Sequence, residues 1–161
     1  MKITGLITEY NPFHNGHQYH IEKAKKLTKA DKVVVVMSGN FVQRGAPALL
    51  PKHLRTKMAL KSGADLVIEL PVFYACASAE YFAYGAVSLL HALRCVDSIC
   101  FGSECGDLTL LQKAADIMAE EPDAYKHSLQ SYLRDGYRFP LARQKAFQDF
   151  TKEEGIASIL E

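Results

Sequence analysis

The chain has 161 residues and a mass of 17.9 kDa, with 48% apolar and 23% charged residues. That composition excludes disordered, collagen-like and disulfide-scaffold classes and fits one ordinary globular domain. Nineteen Lys and Arg against eighteen Asp and Glu leave a net charge of +1, so no global field draws the molecule to nucleic acid or membrane, and any basic partner site must be local.

The first apolar run, Ile3 to Thr8, reads as a strand. No run reaches the roughly 20 apolar residues of a membrane span, and the Met1-Lys2 start lacks a signal-peptide core, so a cytoplasmic location is the expectation. Gly16 to Thr28 reads as a helix, with Glu22 four residues before Lys26 and with Ile21, Ala24 and Leu27 available for packing. Val33 to Ser38 is a second, stronger strand, which makes a βαβ unit. Pro51 suits the first turn of a second helix carrying Leu54 and Met58, and Gly63 stands at its stop. Leu66 to Leu70 and Ser98 to Gly102 complete four candidate strands, any of them central. Between the last two, Ala79 to Leu93 is apolar on nearly every side, as in a helix that something outside the chain covers. Asp107 can cap a helix on which Leu108, Leu111, Ala115 and Met118 recur every three or four residues, and Pro122 opens another that ends near Gly136. The remainder is helical and more polar, and Ile156 to Glu161 stops without a terminator, as in a truncated chain. Short apolar runs alternating with helical stretches describe an α/β fold, a mainly parallel sheet with helices on both faces. No repeat or linker suggests a domain boundary within 1–161. Cys76, Cys95, Cys100 and Cys105 form no CxxC pair, so reduced, partly buried thiols are expected instead of disulfides or zinc.

Chemistry concentrates in Thr8 to His17, a polar loop that leaves the first strand and runs into the first helix. Triphosphate charge is met where a helix N-terminus presents free backbone N–H groups, and Gly16 lets phosphates approach. His14 and His17, three residues apart, fall on one side of this junction and can donate hydrogen bonds to an α-phosphate as its charge develops. His20 extends the same face. The plain alternative is a turn built by Asn11, Pro12 and Gly16 with surface histidines. The coincidence of first strand, HxGH, helix start and Lys-rich helix outweighs it. Metal binding by the three histidines is disfavoured by Gly16 and the phosphate context, and magnesium would arrive on the nucleotide.

The segment EYNPFHNGH, Glu9 to His17, resembles the HxGH nucleotidylyltransferases, which share a Rossmann-like (HUP) adenine-nucleotide fold with class I aminoacyl-tRNA synthetases. Within them it is most similar to the bacterial tRNA(Met) cytidine acetate ligases. SGNFVQRG, Ser38 to Gly45, and FGSE, Phe101 to Glu104, carry that narrower match. The resemblance implies an ATP-binding stretch over Ile7, Thr8, Glu9, Tyr10, Asn11, Pro12, Phe13, His14, Asn15, Gly16 and His17, reaching His20, and an adenosine contact at Gly102. It also implies activation of acetate with ATP as acetyl-adenylate, His14 and His17 being catalytic, and transfer of the acetyl group to N4 of the wobble cytidine of elongator tRNA(Met). Family members continue well past this length, with a Pro-Asn nucleotide contact and a Ser- and Arg-containing phosphate loop. The resemblance therefore implies an N-terminal catalytic domain.

In a parallel sheet the loop after the second strand borders the same crevice as the first. Gln43 and Arg44 would face substrate there, an Arg fork or the Gly39 backbone holding acetate or the adenylate phosphate. A Gly-bounded turn with a solvated Arg is the alternative. Lys32 to Ala64 contains no Asp or Glu but carries Lys32, Arg44, Lys52, His53, Arg55, Lys57 and Lys61. Lys52 and Arg55 would share a helix face that touches an RNA backbone, or be an ordinary solvated surface. Gly102 would let a ring or ribose lie against the backbone, or simply end a strand. Glu69 follows an apolar run and needs a partner. No GxSxG or P-loop occurs. Two rivals remain, a small-molecule nucleotidylyltransferase and a non-catalytic nucleotide- or RNA-binding module.

Overall fold

Four short runs rich in Val, Ile and Leu form one parallel sheet in the computed structural model of the chain, which describes residues 1–151 apart from the Arg44 side chain. The strands are β1 (Ile3–Thr8), β2 (Lys32–Ser38), β3 (Leu66–Leu70) and β4 (Ser98–Ile99). Their order is β3-β2-β1-β4, with Ile3 opposite Lys32, Val34 opposite Leu66 and Thr4 opposite Ser98. Strict period-two alternation explains why β2 can be central. Val33, Val35 and Met37 point into one core with Leu6, Ile21, Ala24 and Ala59, while Val34 and Val36 point into the other with Ile3, Leu70, Ala86 and Leu90. The first face is covered by α1 (Asn15–Thr28) and α2 (Lys52–Lys61), the second by α3 (Val72–Ala75) and α4 (Ala79–Ala92). Gly5 in β1 seats α4, since a Cβ there would stand 2.7 Å from Cδ1 of Leu90.

Several expectations need correcting. β3 and β4 lie at the edges of this sheet, and β4 pairs with only Thr4 and Gly5 before the chain peels away. Strand geometry therefore ends well short of Gly102, although the Cys100 N–H still reaches the Gly5 carbonyl at 3.0 Å. Leu27 is 64% exposed, so α1 seals the core with Ile21 and Ala24 alone. On α2 the buried positions are Arg55 and Ala59, with Leu54 exposed. The outer face of α4 is uncovered among the described residues, leaving Tyr81, Tyr84 and Val87 exposed.

Backbone contacts divide the chain into two compact units, Met1–Gly102 and the segment from Ser103 onward. The second holds α5 (Leu108–Glu120), α6 (Asp123–Arg134) and α7 (Phe139–Thr151) around Ala114, Tyr125, Ala146 and Phe147. Asp107 caps α5 as expected, its Oδ1 accepting the Thr109 and Leu110 N–H groups at 2.8 and 3.2 Å. The buried stripe of α5 is Leu110, Ala114 and Ile117, however, and Leu108 and Met118 face outward. The expectation for Ile156 to Glu161 lies outside the described residues. No described helix is long and apolar enough to cross a membrane. All four cysteines are free, Cys76 and Cys100 half-buried and Cys95 and Cys105 exposed.

Candidate functional site

Order β3-β2-β1-β4 means that the chain leaves β1 toward β2 on one side, while β4 joins β1 on the other. The carboxyl ends of β1 and β4 thus flank a topological switch point, where open α/β sheets place ligands. The Glu9 to His14 loop leaves β1 at that point. Tyr10 turns it in the left-handed region (φ 50°), with its ring 1% exposed. It forms a floor that Phe13 and His17 meet edge-on at 4.8 Å each. Burial pushes the Tyr10 hydroxyl far above its ordinary pKa, so it stays a neutral phenol.

His14 is the N-cap of α1, and its Nδ1 accepts the Gly16 N–H at 3.1 Å. His17 reciprocates, its Nδ1 accepting the His14 N–H at 3.2 Å. This is a capping box built from two imidazoles, and it stacks the rings at 3.8 Å. A neutral imidazole that accepts at Nδ1 carries its proton on Nε2, so the two caps fix the tautomer that leaves Nε2–H as donor. Burial, then the neighbouring His14 and His20, lowers the His17 pKa and keeps that ring neutral down into its ordinary titration range. Gly16 is required by this geometry, since a Cβ would stand 2.9 Å from Cε1 and 3.1 Å from Nδ1 of His14. One expectation changes as a result. The Gly16 N–H is taken by the His14 ring and the His17 N–H by the His14 carbonyl at 2.9 Å. The donors at this helix end are then the imidazole edges and the N–H of the exposed Asn15, backed by the helix dipole.

His20, one turn on, is half-buried. Desolvation lowers its pKa against a backbone hydrogen bond with Cys100, and its Nε2 is buried without a partner among the described residues. Pro12, His14, Asn15 and Gly16 are exposed, whereas Ile7, Thr8, Glu9, Asn11 and Phe13 are half-buried. Gly102 is exposed, and nothing stands within 4 Å of where its Cβ would be.

The loop after β2 closes on itself. Val42 N–H donates to the Ala46 carbonyl and Ala48 N–H to the Asn40 carbonyl, both at 2.9 Å, around a 3-10 turn at Gln43–Gly45. Two side chains of the first loop hold it. Glu9 Oε1 accepts the Gln43 N–H at 2.5 Å, and Asn11 Oδ1 accepts the Leu49 N–H at 2.7 Å. The expectation for the Arg44 side chain lies outside the described residues.

Arg55 is not on a solvated face; it is fully buried. Its Nε donates to the Leu50 carbonyl at 3.0 Å, and one terminal nitrogen to the Glu9 and Ser38 carbonyls at 2.5 and 3.2 Å. The other terminal nitrogen donates to the Gly39 carbonyl. Such a guanidinium has no surface for an RNA backbone. Lys52 pairs with Glu69 at 2.6 Å, and both stay in contact with solvent, Glu69 being exposed and not the partly buried charge expected. A Cβ on Gly39 would overlap that carboxylate. His53, Lys57 and Lys61 remain exposed on α2. Neither the Arg55 clamp nor the Glu9 and Asn11 links has a local signal, because each joins side chains to main-chain atoms distant in sequence, 34 and 38 residues away for Glu9 and Asn11 and up to 46 for Arg55. No group of three His, Cys, Asp or Glu suited to a metal ion occurs among the described residues.

A parallel α/β domain whose first strand delivers paired histidines to the tip of its first helix is the class that fold and site define. The chain belongs to the family described as HIGH Nucleotidyl Transferase, which it matches over residues 1–160. It is 57% identical over 150 residues to the tRNA(Met) cytidine acetate ligase of Clostridium perfringens, covering 93% of this chain and 37% of that protein. Similarity to the protein of the same name from Thermoanaerobacter sp. is 56% over 161 residues, all of this chain and 40% of the relative. The crystal structure of Thermotoga maritima TmcAL bound with alpha-thio ATP superposes with a TM-score of 0.92 at 46% identity, over 99% of this chain and 39% of the other. This chain spans about two-fifths of the length of the proteins it matches.

Proposed function

We propose that this chain is the ATP-binding, adenylate-forming part of a cytoplasmic ligase that acetylates N4 of the wobble cytidine of elongator tRNA(Met). The observation that carries this reading is the imidazole capping box, two rings locked as Nε2–H donors at the N-terminus of α1. An acetate oxygen attacks the α-phosphorus of ATP, the bond to the β-phosphate oxygen breaks, and pyrophosphate leaves with the electron pair. Negative charge builds on the α-phosphate oxygens during this step, and His14 and His17 donate to them without a change of protonation state. Stacked, capped rings need no reorganisation when the charge develops.

Gly102 offers backbone free of a Cβ for the adenosine, and Gln43 and Arg44 border the acetate end. Magnesium comes bound to the triphosphate. The names of the similar ligases and the alpha-thio ATP bound to the Thermotoga protein support nucleotide, tRNA and reaction class. Arg55, being fully buried, drops out as an RNA contact, which leaves Lys52, His53, Lys57 and Lys61 as the candidates on α2.

The test is ATP–pyrophosphate exchange in a protein extended to the length of those relatives. Exchange that requires acetate but not tRNA, together with acetyl transfer to elongator tRNA(Met), supports the reading. Exchange driven by another nucleotide or an alcohol points to a small-molecule nucleotidylyltransferase, and ATP binding without exchange points to a non-catalytic module.

A further inference from the structure

A fully buried arginine normally faces a carboxylate, because an unpaired guanidinium is expensive to desolvate. Here every described hydrogen bond of Arg55 goes to a main-chain carbonyl, those of Glu9, Ser38, Gly39 and Leu50. The two nearest acids are engaged elsewhere. Glu9 accepts from the Gln43 N–H, and Glu69 pairs with Lys52. Two cations and two carboxylates make this cluster formally neutral, so it adds no net charge beside the nucleotide crevice. Its effect is geometric.

The four carbonyls come from three places along the chain, the exit of β1, the exit of β2 and the turn into α2, and they join the two loops that the Glu9–Gln43 and Asn11–Leu49 bonds also link. Glu9 begins the loop that carries His14, and Ser38 and Gly39 begin the loop that carries Gln43. A planar fork with donors at fixed angles sets the spacing of these exits; a tetrahedral ammonium on a flexible stem cannot. We infer that Arg55 is a positioning residue for adenylate formation, holding the His14 loop and the Gln43 loop at the separation the bound nucleotide requires. The inference rests on the function proposed above.

ATP titration of the 161-residue chain tests it, comparing Arg55→Lys with Ala59→Gly. Ala59 is buried on the same helix one turn on, in the core cluster that also holds Tyr10 and Phe13, and its methyl group donates no hydrogen bond, so its substitution loosens α2 while leaving the four Arg55 bonds in place. Arg55→Lys is expected to lose about tenfold or more in ATP affinity, since small displacements of binding groups are amplified at such sites. Ala59→Gly is expected to stay within about twofold at a comparable loss of Tm. The backbone amide signal of Gln43 should move in the first variant and not in the second. Equal affinity loss in both variants, or an Arg55→Lys chain that binds like the wild type, overturns the inference.

Should the lysine variant not fold, the unaltered chain supplies the reading through the slowly exchanging Nε–H signal of Arg55. A shift of that signal on adding ATP, together with the His14 and His17 ring signals, supports coupling. Ring signals that shift while Arg55 stays still overturn the positioning role and leave the nucleotide site standing. Ring signals that do not respond to ATP overturn both.

Discussion

Gly16 separates stability from function at the level of one atom. An alanine there fits a first-turn backbone and gains a few tenths of a kcal/mol in helix propensity, yet its Cβ collides with the exposed, movable end of the His14 ring. The ring swings away at little folding cost and takes its cap with it. Gly16→Ala should therefore leave Tm within a few degrees of wild type while adenylate formation in the extended protein falls by about tenfold or more. A Tm loss that accounts for the whole activity loss contradicts this. His14→Ala and His17→Ala should each slow acetate-dependent pyrophosphate exchange by about 10²- to 10³-fold, the cost of one preorganised donor, or ~3–4 kcal/mol. ATP affinity should fall far less, because the donors act on charge that grows in the transition state.

Protonation acts on the same rings. His17 and His20 have lowered pKa values, chiefly from burial, so as pH drops below about 6.5 the unfolded chain takes up protons before the folded one. The stability these residues contribute is complete above that value and is lost as pH falls toward their folded pKa values. Urea midpoints should decline between pH 7.5 and 5.5, and the doubly substituted His17→Asn, His20→Asn chain should show a flatter decline.

Whole elements obey packing more than propensity. Gly85 lies in mid-helix on α4, where glycine forfeits up to about 1 kcal/mol of propensity relative to alanine. A Cβ there would stand 2.7 Å from Cδ1 and 2.8 Å from Cβ of Tyr74, so α3 crosses α4 at a distance that only glycine permits. Overpacking costs about 1–3 kcal/mol, which exceeds the propensity gain. Gly85→Ala should thus lower stability in denaturant melts, and a more stable variant would show that α3 moves freely. The same contrast explains what sequence reveals. β1, β2, β3 and the HxGH turn into α1 were legible because short continuous apolar runs rich in β-branched residues and a polar loop are local signals. The buried stripe of α5 was not, because Leu108-Leu111-Ala115-Met118 and Leu110-Ala114-Ile117 are both valid helical faces, and only α6 and α7 decide between them. Arg55 looked like one more surface cation for a related reason. What buries it is a set of carbonyls brought together by the parallel sheet, and main-chain atoms leave no mark in a sequence.

At the scale of the whole molecule, both faces of the sheet leave apolar side chains exposed. On the α1 and α2 side these are Tyr19, Leu27, Leu54 and Leu60, set among the charged residues of the two helices. The opposite side presents Val72 and Phe73 on α3, and Tyr81, Tyr84 and Val87 on α4, each more than 40% exposed. Exposed apolar patches of this kind drive association unless charge repulsion opposes it, and a net charge of +1 opposes it weakly. The 161-residue chain should self-associate with rising concentration near pH 7.7, its calculated isoelectric point. Sedimentation velocity should show the larger species fading in a Tyr84→Glu, Val87→Glu variant. ATP affinity should stay as it was, because α4 packs on the sheet face opposite to α1 and the imidazole pair. Species that persist in that variant would place the sticky surface elsewhere, and a joint loss of nucleotide binding would mean that the two faces of the sheet are energetically linked.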